Sequence, residues 1–346
     1  MTTKPKPAFY MNTQKNNTLI SFLQAFGIVL VVVGHSFYGN PTAFFNRWIY
    51  TFHMPLFMFI SGFLLCYGVL KKGQPLADKA LLGKKGFIVS KIKRLLVPYV
   101  AISSLAFLPK SLMNAYTIHP VEVSLNSYIH SLIYPWDNAI IFFWFLPTLF
   151  LIFMLVIIAA KGLRKTHIPM EIWVVGTLLL HLFNTLKDIQ LLNIGGIASY
   201  LFYFVLGYYA CQRKLDDHVG KKPWLIGVCT LILSILLVAL PDFWGKGPLA
   251  AINGITFSLA LANLYVRYQG RFMHHLFGAS YAIYLFSWFP QVLSQQVFLQ
   301  VTHAPWQVGT FLSIATGIYL PWLIYKWIIA HKTTRLGAAA AFLTGH

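Results

Sequence analysis

The chain is short of acid. Of its 346 residues only 8 are Asp or Glu, against 27 Lys or Arg, and charged residues of both signs reach 10%. A soluble domain carries about a quarter, so this sequence cannot cover a water-facing surface. Cysteine is scarce too. Cys66, Cys211 and Cys229 fall in or at the ends of apolar stretches, which argues against a disulfide scaffold. Glycine and proline are too few for a collagen-like or low-complexity chain. No GxSxG elbow, Walker A loop, HExxH or CxxC pair occurs, so hydrolase, ATPase and redox readings lack their signatures. No metal site is expected, because two histidines without a nearby carboxylate make a poor ligand set.

What is present is apolar: 58% hydrophobic residues, 16% aromatic. A helix crosses the hydrocarbon core with about 20 apolar residues. Such stretches lie near 19–38, 44–70, 95–113, 139–160, 171–187, 191–211, 223–241, 247–266, 275–300 and 306–328. The third holds Pro98 and Lys110, and the fifth is short, ending near Asn184. Continuous apolar runs without period-two alternation exclude a barrel. The expected fold is therefore an all-α, polytopic transmembrane helical bundle of about ten spans.

Charge gives an independent test. With a cytoplasmic N-terminus, alternate loops place 23 basic residues on one face and leave Arg47, Lys110, Lys187 and Lys246 on the other. Miscounting one span would destroy that asymmetry, so both termini are expected in the cytoplasm. The net charge of +19 then encodes orientation, and no nucleic-acid partner is implied. No cleavable leader is expected, because a polar 18-residue lead precedes the first apolar run. The organisation reads as a cytoplasmic lead over 1–18, a membrane domain over 19–330 and a cytoplasmic tail over 331–346.

Polar groups at membrane depth are costly and point to function. None of the carboxylates lies deep in a predicted span, which argues against a proton-coupled carrier. The deep polar residues are chiefly Gln24, His35, His53, Ser61, Asn253, Ser280 and Ser287. Gln24 and His35 are eleven residues apart, which on a helix returns to within roughly 20° of the same direction. His53 enters on the following span, at a depth like that of His35. Histidine is the natural general base near neutral pH; the alternative is a hydrogen bond between helices. Lys91 and Arg94, at i and i+3, share a helix face where the chain enters the membrane. They suit either anionic lipid or a polyphosphate, which Arg contacts bidentately and Lys as a point charge. Trp144, near the start of the fourth span, fits an interfacial aromatic belt.

Five blocks carry a resemblance. They are Gly-Ile-Val-Leu-Val-Val-Val-Gly-His-Ser at 27–36, Phe-His-Met-Pro-Leu-Phe-Met-Phe-Ile-Ser-Gly at 52–62, and the basic-to-Leu-Leu-Val-Pro-Tyr stretch at 91–99. Trp-Phe-Leu-Pro at 144–147 follows, then Gly278 with Ser280-Tyr281 and Tyr284-Leu285. In this order they resemble the acyltransferase 3 family of multi-pass membrane acyltransferases, most closely its fucose-4-O-acetylase-like branch. The resemblance implies transfer of an acyl group, usually acetyl, from cytoplasmic acyl-coenzyme A to a hydroxyl of an extracytoplasmic glycan. It also implies a bacterial inner-membrane location, no tightly bound cofactor, and a possible association with a polysaccharide synthesis or export complex. His35 matches the family's catalytic histidine, and Lys91 with Arg94 the pair that holds the coenzyme. On this reading Gln24 contacts the pantetheine arm. His53, Ser61, Tyr281 and Ser280 are candidate oxyanion donors, and Trp144 a candidate substrate contact. The sequence departs from the family at Gln24, where a basic residue is usual, at Ser21, where an acid is frequent, and at Ser287, where a histidine is often found. A glycan or lipid carrier and a non-catalytic subunit of a polysaccharide-synthesis complex remain the rival classes.

Overall fold

A computed structural model describes residues 13–37, 42–83, 86–112, 122–166, 168–298, 302–303 and 305–345. The predicted lead as far as residue 12 (with Lys4 and Lys6), Lys84 and Lys85, and positions 113–121, which run on from the end of the third predicted stretch, lie outside the described residues. Among those described there is helix and no strand. The order is α1 (Thr13–Gly34), α2 (Phe44–Lys72), α3 (Phe87–Lys91), a π turn (Ile92–Leu96), α4 (Val97–Leu112) and α5 (Leu125–Ile133). A 3-10 turn (Ile141–Trp144) leads into α6 (Phe145–Gly162), then α7 (Met170–Leu182), α8 (Ile194–Gln212), α9 (Leu215–Lys221), α10 (Pro223–Ala239) and α11 (Lys246–Arg267). The chain closes with α12 (Ser280–Phe286), α13 (Trp288–Val292), a second π turn (Leu293–Phe298), α14 (Trp306–Ala330) and α15 (Arg335–Leu343).

Helix overlies every stretch read as a span. Seven segments are long and apolar enough to cross a membrane: Asn17–Gly34, Phe44–Lys72, Phe87–Leu112, Ile141–Gly162, Leu191–Gln212, Lys246–Arg267 and Trp306–Ala330. The α9–α10 pair, bent by 98°, adds an eighth if it counts as one span. The other two differ from plain spans. Helix α7 has 13 residues, and the stretch at 275–300 is interrupted at Ser287 and again by the π turn. Large apolar side chains exposed along α10, among them Trp224, Leu225, Ile232 and Leu236, form a face that water would not tolerate and lipid would.

The chain divides into two compact units, each built from separated stretches. One takes the chain up to Val31 with Thr42–Gly73 and Tyr203–Ser280; the other takes Val32–Pro41, Gln74–Phe202 and Tyr281–His346. In the first, glycine permits backbone contact. A Cβ at Gly62 on α2 would stand 1.8 Å from the Phe204 carbonyl oxygen, and one at Gly207 on α8 would stand 1.9 Å from that of Phe59. The two helices therefore cross with no side chain between them. Polar bonds supplement this packing: Asn253 on α11 donates to the Thr230 carbonyl (2.9 Å) and to Ser234 Oγ (2.8 Å) on α10. Lys15 pairs with Asp217 at 2.7 Å.

In the second unit, Tyr99 on α4 donates its hydroxyl to the Leu132 carbonyl at 2.9 Å, and Ser103 bonds the buried Asn138. Lys161 at the end of α6 donates to the Ala77 carbonyl at 2.8 Å, and Arg164 pairs with Asp78 at 2.9 Å. These contacts tie the basic loop after α2 to the foot of α6. The predicted tail is ordered into α15, which starts on a Thr334 side-chain cap.

Candidate functional site

Two π turns occur among the described residues, and both lie in the second unit. A π turn closes i to i+5 and so holds one residue more than an α turn; such turns are frequent at functional sites. One carries Arg94, the other Gln295.

The first follows α3 directly. Its extra residue changes the expected relation of Lys91 to Arg94, since the two do not follow one another on a regular helix face. Lys91 Nζ lies 3.5 Å from the centre of the Phe153 ring and 5.4 Å from that of Phe87, so aromatic faces hold its charge. Lys79 reaches the same Phe87 ring at 5.7 Å. The Arg94 side chain is exposed, and its backbone carbonyl accepts the Tyr281 hydroxyl. Gly345, with φ +71°, brings the end of the tail against that carbonyl and Pro98.

The second π turn faces the end of α1. The helix stops at Gly34, so His35 lies in the turn beyond it and not on the helix, contrary to the span expected over 19–38. The helical phase relating His35 to Gln24 thus ends one residue short of the histidine. The His35 ring is half-buried and packs on Phe142, centroids 5.0 Å apart. Around it lies a buried polar set that the sequence reading passed over: Gln291, Gln295, Thr310 and Ser313, with Ser36. Gln295 Nε2 donates to the His35 carbonyl at 3.1 Å, and Gln291 Nε2 to the Val32 carbonyl at 2.9 Å. The signal was present in the sequence, because two glutamines spaced i, i+4 inside an apolar stretch share one helix face.

One stretch links these two ends. From α12 to the second π turn, Tyr281 bonds the Arg94 carbonyl and Tyr284 donates to the Phe142 carbonyl at 2.8 Å. Gln291 and Gln295 then hold the His35 turn. Tyr281 therefore stands at the cation end with its hydroxyl proton committed to a carbonyl, which removes it as an oxyanion donor beside His35. Trp144 also differs from expectation. It is buried and stacked between Trp136 (5.2 Å) and Tyr200 (5.1 Å), inside the protein and not in a lipid-facing belt. Trp136 is fixed in turn by its indole N–H to Asn193 Oδ1 at 3.0 Å and keeps 40% exposure.

The remaining expected residues belong to the first unit. Gln24 is half-buried on α1. His53 on α2 is buried, and its Nδ1 bonds the Ile49 carbonyl at 2.9 Å. A carbonyl only accepts, so the proton is on Nδ1 and Nε2 is the ring's acceptor. Ser61 donates to the Phe57 carbonyl one turn back, at 2.8 Å. The hydroxyl of Ser280 is buried without a hydrogen-bond partner. In the second unit the same holds for Ser287, where the family often places histidine.

Comparison with known proteins gives one finding. The acyltransferase 3 family, described as an acyltransferase domain, matches residues 17–326. No curated protein and no solved structure matches significantly.

Proposed function

The chain belongs to the acyltransferase 3 family, and from that premise we propose that it is a membrane O-acyltransferase acting across the bilayer. The donor is acyl-coenzyme A on the cytoplasmic side, most simply acetyl-coenzyme A, and the acceptor is a hydroxyl of an extracytoplasmic glycan or glycolipid. Ten spans with both ends in the cytoplasm of a bacterial inner-membrane protein suit this route, since they put the 91–94 turn inside and His35 near the outer face. The supporting observation is that one compact unit contains both ends of the site, with the Tyr281–Gln295 stretch bonded to each.

The chemistry follows from the groups present. Neutral His35 accepts the proton of the acceptor hydroxyl as its oxygen attacks the thioester carbonyl. The tetrahedral oxyanion collapses, the C–S bond breaks, and the leaving thiolate takes the proton back from the imidazolium. Products are the O-acyl ester and free coenzyme A. Arg94, aided by Lys91 and Lys79, holds the coenzyme phosphates. Within the unit that holds His35, the unpartnered hydroxyl of Ser287 is the candidate for the oxyanion. Trp144, through its stack with Trp136, supports an aromatic surface for the acceptor.

The test is coenzyme A release from labelled acetyl-coenzyme A by protein in lipid nanodiscs, supplied with the glycan fraction of its native membrane. His35→Ala should lower the rate by about 10²–10⁴-fold, the range for loss of a general base, with an unchanged unfolding temperature. A wild-type rate from a folded His35→Ala protein would overturn the proposal.

A further inference from the structure

We infer that Gln295, assisted by Gln291, is a positioning residue that presents the His35 ring. The inference rests on the proposed role of His35 and concerns how that role is set up.

Helix α1 ends at Gly34, and a helix end leaves its last carbonyls without intrahelical partners. In this chain side chains from α13 to α14, together with Ser36, bond carbonyls at this end and in the turn just past it. Val32 O receives Gln291 Nε2 (2.9 Å) and Ser36 Oγ (2.8 Å); His35 O receives Gln295 Nε2 (3.1 Å); Ser36 O receives Thr310 Oγ1 (3.1 Å). The second N–H of Gln291 goes to Ser36 Oγ (3.1 Å), and that of Gln295 goes to Ser313 Oγ (2.8 Å). Ser36 spends its proton on Val32, so in the 2.9 Å contact with Ser313 it is Ser313 that donates. Every amide proton of both glutamines is used. Val32 and His35 carbonyls only accept, which fixes the orientation of both amides.

The set is sealed from solvent: Ser36 and Ser313 are 0% exposed, Gln291 4% and Gln295 5%. Burying two carboxamides is costly, and apolar residues of like volume would fill the space at less cost to stability. A polar network whose amide protons are all committed favours a single geometry instead. That geometry is imposed at the residue whose ring is to act, from one side by Gln295 on its carbonyl and from another by Phe142 on its ring. The π turn that delivers Gln295 is an irregularity of the kind associated with function.

The experiment separates position from fold. Gln295→Met keeps the bulk and removes the donor, while Ser294→Ala on the same turn, bonded to Thr316 at 3.0 Å, serves as control. Two readouts are taken in nanodiscs. One is the rate at which diethyl pyrocarbonate modifies His35, followed by peptide mass spectrometry. The other is the split of kcat against KM for acetyl-coenzyme A. Gln295→Met should change His35 labelling about fivefold or more and lower kcat about tenfold or more, with KM within about twofold. Ser294→Ala should change neither. If the Met variant does not fold, Gln295→Asn, one methylene too short to reach, is read in the same way. A folded variant at either position-295 substitution with His35 labelling and kcat both at wild type overturns the inference. Turnover surviving His35→Ala would instead remove the base assignment, while the labelling result would still decide whether Gln295 positions the ring.

Discussion

Lys91 and Arg94 carry the same charge in different settings. Lys91 rests on Phe153 and Phe87, whereas the Arg94 guanidinium is exposed while its backbone is held by Tyr281. A cation over a ring face is already partly compensated, and a free planar guanidinium is the better phosphate ligand. Arg94→Ala should therefore raise KM for acetyl-coenzyme A by about tenfold or more, and Lys91→Met by less than about fivefold, with kcat little changed in both. Steady-state kinetics in nanodiscs would show the order. His35, Lys91 and Arg94 were legible as candidates from residue type and spacing, together with the family blocks. Their partners were not. Gln295 acts on a residue 260 positions away, and no local pattern reveals which helix end a buried amide will meet.

At the level of elements, hydropathy located the helices because lipid and core both select apolar runs, but it could not place their irregularities. The apolar run continues past Gly34 through Phe37, so hydropathy extended the first stretch to residue 38 although the helix ends at Gly34. A π turn leaves no composition signature, so neither Ile92–Leu96 nor Leu293–Phe298 was foreseen. Glycines on one helix separate cleanly once packing is known. A methyl group at Gly62 would meet the Phe204 backbone, and one at Gly68 would meet nothing within 4 Å. Gly62→Ala should cost more than about 3 kcal/mol, because the overlapping atom is backbone and cannot rotate aside. Gly68→Ala should be neutral or stabilising by up to about 1 kcal/mol. Thermal unfolding in detergent, alongside the yield of folded protein, distinguishes them. The Ser-Gly of the second family block is thus in part a packing signature.

For the whole molecule, the imbalance of 27 basic to 8 acidic residues and the apolar runs were enough to announce a membrane protein. They could not announce two units interleaved along the chain, because chain order and spatial neighbourhood diverge when residues 32–41 join residues 281–346. The stretch from Tyr281 to Gln295 has a further meaning. Its two anchor points, Tyr281 and Gln295, are fourteen positions apart, about 21 Å of contour at the helical rise. On the roles proposed for Arg94 and His35, it is a ruler set between the grip on the donor and the imidazole that meets its acyl end. A donor must be both anchored and long, so acetyl phosphate and the acetyl thioester of cysteamine should each fail as substrates at millimolar concentration where acetyl-coenzyme A succeeds. Turnover with either short donor would mean that reach does not select what this protein uses.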